Sequence, residues 1–175
     1  MALVDGKPRT LNIKEMLQEY VRHRVTVIRR RTQFLLNRAR QRKHTVEGLL
    51  LAHANIDEVI RVIRTSATQP EAKARLMTIE CPAALMQRAL GDAGYADFTN
   101  ERGGKAESYT LTAVQADAIL RMTLGQLVNL EQEKLGDEYR ELLSEITEYL
   151  RILGDDANIY AMIKDDLREM AKKYG

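Results

Sequence analysis

The chain has 175 residues, 45% of them apolar, yet only 5% are aromatic and tryptophan is absent. That length fits one domain, and a core built from Leu, Ile, Val, Ala and Met favours helices over a β-sandwich. The single cysteine, Cys81, excludes an internal disulfide and fits a reducing compartment. No apolar run approaches the ~18 residues that span a membrane. Asp5 interrupts the N-terminus before the apolar region of a signal peptide could form. The expectation is a soluble, cytoplasmic protein with no membrane partner. The net charge of +2 is unevenly spread. Residues 1–43 carry twelve Lys/Arg against three Asp/Glu, and the remainder carries fifteen against twenty-two. This fits either a surface that faces a polyanion or basic and acidic helices that pair with each other.

Residues 3–11 predict a short extended lead-in, with Asp5-Gly6 as a hairpin turn signal and Pro8 barring a central strand. Asn12 followed three residues later by Glu15 is an N-cap signal. From there to Asn55 the chain holds no proline and one glycine, Gly48, and its apolar residues recur at helical spacing. One helix over that range would be about 66 Å long. Its predicted seam is Leu17, Tyr20, Val27 and Phe34, in phase with Ile13, and Arg24, Arg31 and Arg38 fall in the same heptad phase.

Asp57 is the predicted cap of a second helix, Glu58 to Arg64. Pro70 sits in the first turn of a third, running to Met77, with Glu71 near its N-terminus. Cys81-Pro82 opens a fourth, ended by Gly91. Residues 92–108, with Gly94, Gly103 and Gly104, read as a surface excursion. Thr112-Ala-Val-Gln115 is a capping box and predicts a helix from Ala113 to Val128 with two apolar faces. Leu120, Leu124 and Leu127 are assigned to the core, and Ile119 and Met122 to a second surface.

Glu131 to Leu153 reads as the second long helix. Leu135, Tyr139, Leu142, Ile146, Tyr149 and Leu153 follow a 4-3-4-3-4 spacing, a coiled-coil seam with an acidic exterior. Gly154-Asp155-Asp156 interrupts it, and Asp156 is the predicted cap of a last helix. The expected fold is therefore all-α. A long antiparallel two-helix coiled-coil arm (1–44 outward with the lead-in, 131–175 returning) is capped by a small helical head, 45–130.

Chemistry of its own is sparse. His23, His44 and His53 match no metal spacing, no phosphate loop occurs, and no catalytic or metal residues are assigned. The ordered motifs point elsewhere. Leu3-Val-Asp-Gly-Lys-Pro8, Thr10-Leu-Asn-Ile-Lys14, Arg22-His-Arg24, Arg30-Arg-Thr32 and Ala52-His-Ala-Asn-Ile-Asp57 come first. Tyr109 to Leu120, Leu130-Glu-Gln-Glu-Lys-Leu135 and Leu150-Arg-Ile-Leu-Gly154 follow. Together they resemble the bacterial DNA gyrase A subunit over nearly the whole chain, in its coiled-coil arm and exit gate.

The resemblance implies a piece of an ATP-dependent DNA topoisomerase. The parent cuts double-stranded DNA through a tyrosine that lies before the matched stretch, so none of the seven tyrosines here inherits that role. It also implies a homodimer through the head, through which the transported DNA leaves. A gyrase B-type partner would supply ATP hydrolysis and Mg2+, leaving this fragment without a cofactor and inactive alone. On that reading the gate contact is assigned to Gln115, Ala118, Ile119, Met122 and Gln126, and Arg22, Arg29 and Arg30 are candidates to face DNA. The alternatives are a structural helical dimerisation module and a basic nucleic-acid-binding module unrelated to topoisomerases. The sequence departs from the family pattern after Leu120, where Thr123, Gly125 and Gln126 stand.

Overall fold

The computed structural model describes residues 2–4, 7–9 and 12–174. The fold is all-α: eight helices and two short antiparallel strand pairs among the described residues. Strands β1 (Ala2–Val4) and β2 (Lys7–Arg9) pair with Leu3 opposite Pro8. The predicted Asp5-Gly6 turn lies outside the described residues. Helix α1 (Ile13–Ala54) starts at the expected cap, where the Glu15 amide donates to Asn12 Oδ1 at 2.8 Å and the Asn12 amide donates back to Glu15 Oε2. After it come α2 (Ile56–Thr65), α3 (Gln69–Leu76), β3 (Cys81–Pro82), α4 (Ala83–Glu101) and β4 (Ser108–Tyr109). The chain then continues through α5 (Ala113–Leu120), α6 (Leu124–Val128), α7 (Gln132–Gly154) and α8 (Asp156–Tyr174).

Contacts divide the chain into two units, Met1–Arg38 with Glu145–Gly175, and Ala39–Ser144. In the first, Val25 and Ile28 of α1 pack with Ile152 of α7 and Ile159 and Ile163 of α8, and Val21 and Met162 flank them. Helix α8 is capped by Asp155, whose Oδ1 accepts from the Ala157 amide at 2.9 Å; the cap is thus one residue earlier than Asp156, the first residue of the helix. The buried row of α1 in this unit is Val25, Ile28, Thr32 and Leu36. The predicted seam residues Leu17, Tyr20, Val27 and Phe34 are exposed. The predicted phase also carries Arg24, Arg31 and Arg38, and three guanidinium groups are costly to bury without partners. The neighbouring phase has no arginine, and it is the one that enters the core.

In the second unit the same row continues as Ala39, Lys43, Val46 and Leu50. Of the predicted α7 seam, Leu135, Tyr139 and Leu142 are buried here and Ile146 is buried in the first unit, while Tyr149 and Leu153 are half-buried. Helix α2 has Asn55 at its N-cap rather than Asp57, with no side-chain cap bond, and buries Val59 and Val62. Thr68 caps α3, accepting from the Glu71 amide, while Glu71 Oε2 accepts from the Ala67 amide at 2.9 Å.

Residues 92–101 are not a surface excursion. Gly91, at φ 77°, bends the chain inside α4, and the helix resumes to bury Gly94, Tyr95, Phe98 and Thr99. The spacing of Tyr95, Phe98 and Thr99 is helical. Two of them meet Tyr109 of β4: the Phe98 and Tyr109 rings pack edge to face at 4.9 Å, and the Tyr95 and Tyr109 hydroxyls lie 3.3 Å apart.

Candidate gate surface

The segment expected to be one helix, Ala113 to Val128, is two. Thr112 and Gln115 form the capping box of α5, and Thr123 and Gln126 form a second box that opens α6. The second box is legible as Thr123-Leu-Gly-Gln126 in the sequence. Missing it carries the helical phase of α5 past its end, so faces assigned across the whole segment are wrong in part. Ile119 and Gln115 are buried in the unit's own core, and Leu127 joins them. Leu120 is half-buried and Leu124 is exposed, where both were expected in the core.

Gln115 is a fastening residue rather than a surface one. Its Oε1 accepts from the Thr112 amide at 3.0 Å and from Arg102 Nη2 at 3.1 Å. Its Nε2 donates to the His44 carbonyl of α1 at 2.8 Å. Arg102 also donates to the Thr110 carbonyl and lies 5.0 Å over the Phe98 ring. One glutamine side chain thereby joins the start of α5, the end of α4 and the C-terminal part of α1. Gly48 makes room for it, since a Cβ there would stand 2.7 Å from Gln115 Cβ.

Three of the five proposed gate residues remain on the surface together. Ala118 and Met122, both half-buried, and exposed Gln126 line a groove of about 440 Å³ with Arg42, Arg121 and Leu130. Arg42 donates from Nη2 to Glu138 Oε2 at 3.1 Å and is also bonded through Nε to Oε1, and this pairing raises its pKa against the effect of burial. Val114, Leu124 and Val128 are exposed on α5 and α6 and were not anticipated. The groove is an apolar floor with an amide and two guanidinium groups at its rim.

Of the arginines expected to face DNA, Arg22 pairs with Glu19 at 3.2 Å and Arg29 pairs with Asp156. Arg30 has no acidic partner among the described residues, nor do Arg31 and Arg38, which are exposed on α1; the Arg38 guanidinium lies 5.7 Å over the Phe34 ring. Pairing therefore accounts for part of the charge asymmetry and leaves part of it in solvent.

One set of carboxylates converges, from Glu47, Asp97 and Glu101, with ligand-type oxygens within 4.8 Å of one another. Lys43 Nζ stands among them, 2.7 Å from Glu101 Oε1 and 3.5 Å from Glu47 Oε1, and also meets Asp97. The ammonium occupies the position a metal ion would take. No helix among the described residues is long and apolar enough to cross a membrane.

Fold and surface define a class: an all-α module whose exposed features are a small mixed groove and a partly neutralised basic helix. The chain belongs to the family of DNA gyrase/topoisomerase IV A subunits, whose model matches residues 1–168. It is 42% identical over 180 residues to the DNA gyrase A subunit of Pseudomonas aeruginosa, with all of this chain and 20% of that protein covered. Against its counterpart from Clostridium acetobutylicum it is 41% identical over 175 residues, covering all of this chain and 18% of the relative. The Neisseria gonorrhoeae protein is 38% identical over 183 residues, again with all of this chain and 20% of that protein covered. The chain thus spans about a fifth of the length of these relatives.

Proposed function

We propose that this chain is the coiled-coil arm and exit gate of a gyrase A-type subunit. Two copies meet through the surface of α5 and α6, and the transported DNA segment leaves when they part. The observation that carries the reading is the groove of Ala118, Met122 and Gln126, together with Val114, Leu124 and Val128 exposed on the same two helices. A contact that must open in every cycle has to be small and partly polar, because a large apolar one would hold too tightly. Methionine adapts to imperfect packing, and the Gln126 amide at the rim can exchange protein partners for water. In this reading Gln115 and Ile119 serve the gate indirectly, by holding α5 in place.

The parent enzyme acts on double-stranded DNA, using ATP and Mg2+ through a B-type partner; this chain alone neither cleaves nor relaxes DNA. Arg30, Arg31 and Arg38 give the passing duplex a modest, sequence-independent attraction that weakens with salt.

The test is the mass of the 175-residue chain by sedimentation, with helix content by circular dichroism. Wild type should dimerise and Met122→Glu should give folded monomers. A folded Met122→Glu dimer would overturn the assignment of the contact. Relaxation of supercoiled plasmid by the pure chain would overturn its proposed inactivity.

A further inference from the structure

The second unit contains a buried polar cluster that no gate or DNA contact uses. Lys43 and Glu47, 2% and 1% exposed, sit one turn apart on α1. Asp97 and Glu101 come from α4, and both meet the Lys43 ammonium. Tyr139 of α7 is fully buried; its hydroxyl is 2.9 Å from Glu47 Oε1 and 3.2 Å from the Gly94 carbonyl of α4. Gly94 is what lets α4 come this close, since a Cβ there would stand 2.6 Å from Tyr139 Cε1. The remaining charged neighbours are His44 of α1, whose Nδ1 is 4.0 Å from Glu47 Oε2, and Arg102, just beyond α4, which acts on His44.

The charge count is unbalanced. Three carboxylates converge on one ammonium, so with all four ionised the group is two negative charges in excess; Asp97 and Glu101 are 44% and 48% exposed and can be solvated, whereas Glu47 is not. Like charges at such a separation disfavour full ionisation, and burial penalises the charged form of the innermost carboxyl most. Glu47 is that carboxyl. Every hydrogen bond or ion pair that ties α4 into the cluster depends on Lys43 or Tyr139, the two groups for which an ionised Glu47 competes.

We propose that Lys43, Glu47, Asp97, Glu101 and Tyr139 form a proton-linked clasp that fastens α4 to α1 and α7. The clasp is tight while Glu47 holds a proton and looser once Glu47 ionises. A neutral Glu47 leaves the ammonium to Asp97 and Glu101; an ionised one draws it back toward α1 and repels the two carboxylates of α4. The clasp makes α4 the part of this unit whose attachment responds to pH, and it does not depend on the gate assignment.

Other properties of the cluster agree. Burial pushes Glu47 up to about 7, against the pull of the Lys43 charge and the Tyr139 hydrogen bond. Desolvation acts to lower Lys43, but hydrogen bonds to Asp97 and Glu101 and the charge of Glu47 outweigh it and hold its pKa above the usual value. Burial, reinforced by the positive charge of Arg102, lowers His44. The folded pKa of Glu47 lies above the unfolded one, so its stabilising contribution is full below about 4.5 and is lost as pH rises through about 7. His44 has the opposite sign, so the comparison must isolate Glu47.

The experiment measures unfolding of wild type and Glu47→Gln by urea at pH 6 and pH 8. The glutamine mimics the protonated form and cannot ionise. The ratio of the wild-type to the Glu47→Gln unfolding constant should rise about tenfold between the two pH values, because the contribution of His44 cancels. A ratio constant within about twofold would overturn the proposal. Native-state amide exchange, corrected for its intrinsic pH dependence, should show residues 92–101 losing protection at pH 8 in wild type only; equal behaviour in the variant would also overturn it. If Glu47→Gln does not fold, the Glu47 carboxyl titration in wild type, followed by carbon NMR, decides. A midpoint near 7 supports the clasp, and one below about 5 sinks it.

Discussion

Gly48→Ala puts two effects in direct opposition. Gly48 lies inside α1, where alanine is favoured over glycine by about 1 kcal/mol from backbone entropy alone. Helix propensity by itself therefore predicts a more stable protein. The structure predicts the reverse. The new Cβ would lie 2.7 Å from Gln115 Cβ and Cγ and 3.1 Å from Cδ, where carbon contacts settle near 3.5–4.0 Å. Gln115 cannot swing away without breaking its bonds to the Thr112 amide, Arg102 and the His44 carbonyl. Its Cβ is fixed by the α5 backbone, so α5 itself must shift. Overpacking costs about 1–3 kcal/mol, and each buried hydrogen bond that lengthens costs about 1 more. The net effect should be a loss of about 1–3 kcal/mol after the propensity gain is deducted. Urea unfolding at neutral pH should show a lower midpoint with an unchanged slope. A raised midpoint would refute the close approach of α5 to α1 at Gly48.

Gly125→Ala is the matching control. Only Thr123 Oγ1, at 3.9 Å, lies near the added methyl, so urea melts should show stability unchanged or raised by up to about 1 kcal/mol. Leu36→Ala, on the buried row of α1, should cost about 2–5 kcal/mol. Phe34→Ala, exposed on the other phase, should change the stability of the isolated chain by no more than about 0.5 kcal/mol, and the same melts rank the pair. Ile119→Ala should lose about 2–5 kcal/mol, since its side chain is buried within the unit; a near-neutral result in the monomer would return Ile119 to the surface.

Much of this protein is decided by local sequence. The start of α1 at Asn12, the Thr112–Gln115 box, the bend at Gly91 and the break before α8 all follow from side-chain oxygens or glycines that act within four residues of their own backbone. Short-range chemistry of that kind needs no tertiary partner, so it can be read before the fold is known. The second capping box at Thr123 belongs with these signals, although it is easily hidden by the apolar run around it. What the local signals leave open is which of several apolar rows is buried. On α1 the row with Tyr20, Val27 and Phe34 and the row with Val25, Ile28 and Leu36 both repeat at helical spacing. The choice between them rests on where Arg24, Arg31 and Arg38 can remain solvated, together with the packing partners of each unit. The same holds for Gln115, a polar residue at the start of a helix whose burial is acceptable only because Arg102 and the His44 carbonyl, from other parts of the chain, satisfy it along with the Thr112 amide of its own capping box. The Lys43 cluster is the extreme case. Its members come from three helices and are separated by up to 96 positions, and nothing near Lys43 and Glu47 in sequence announces Asp97, Glu101 or Tyr139. Burial is a property of what the rest of the chain covers, and charges that balance only across helices have no local signature.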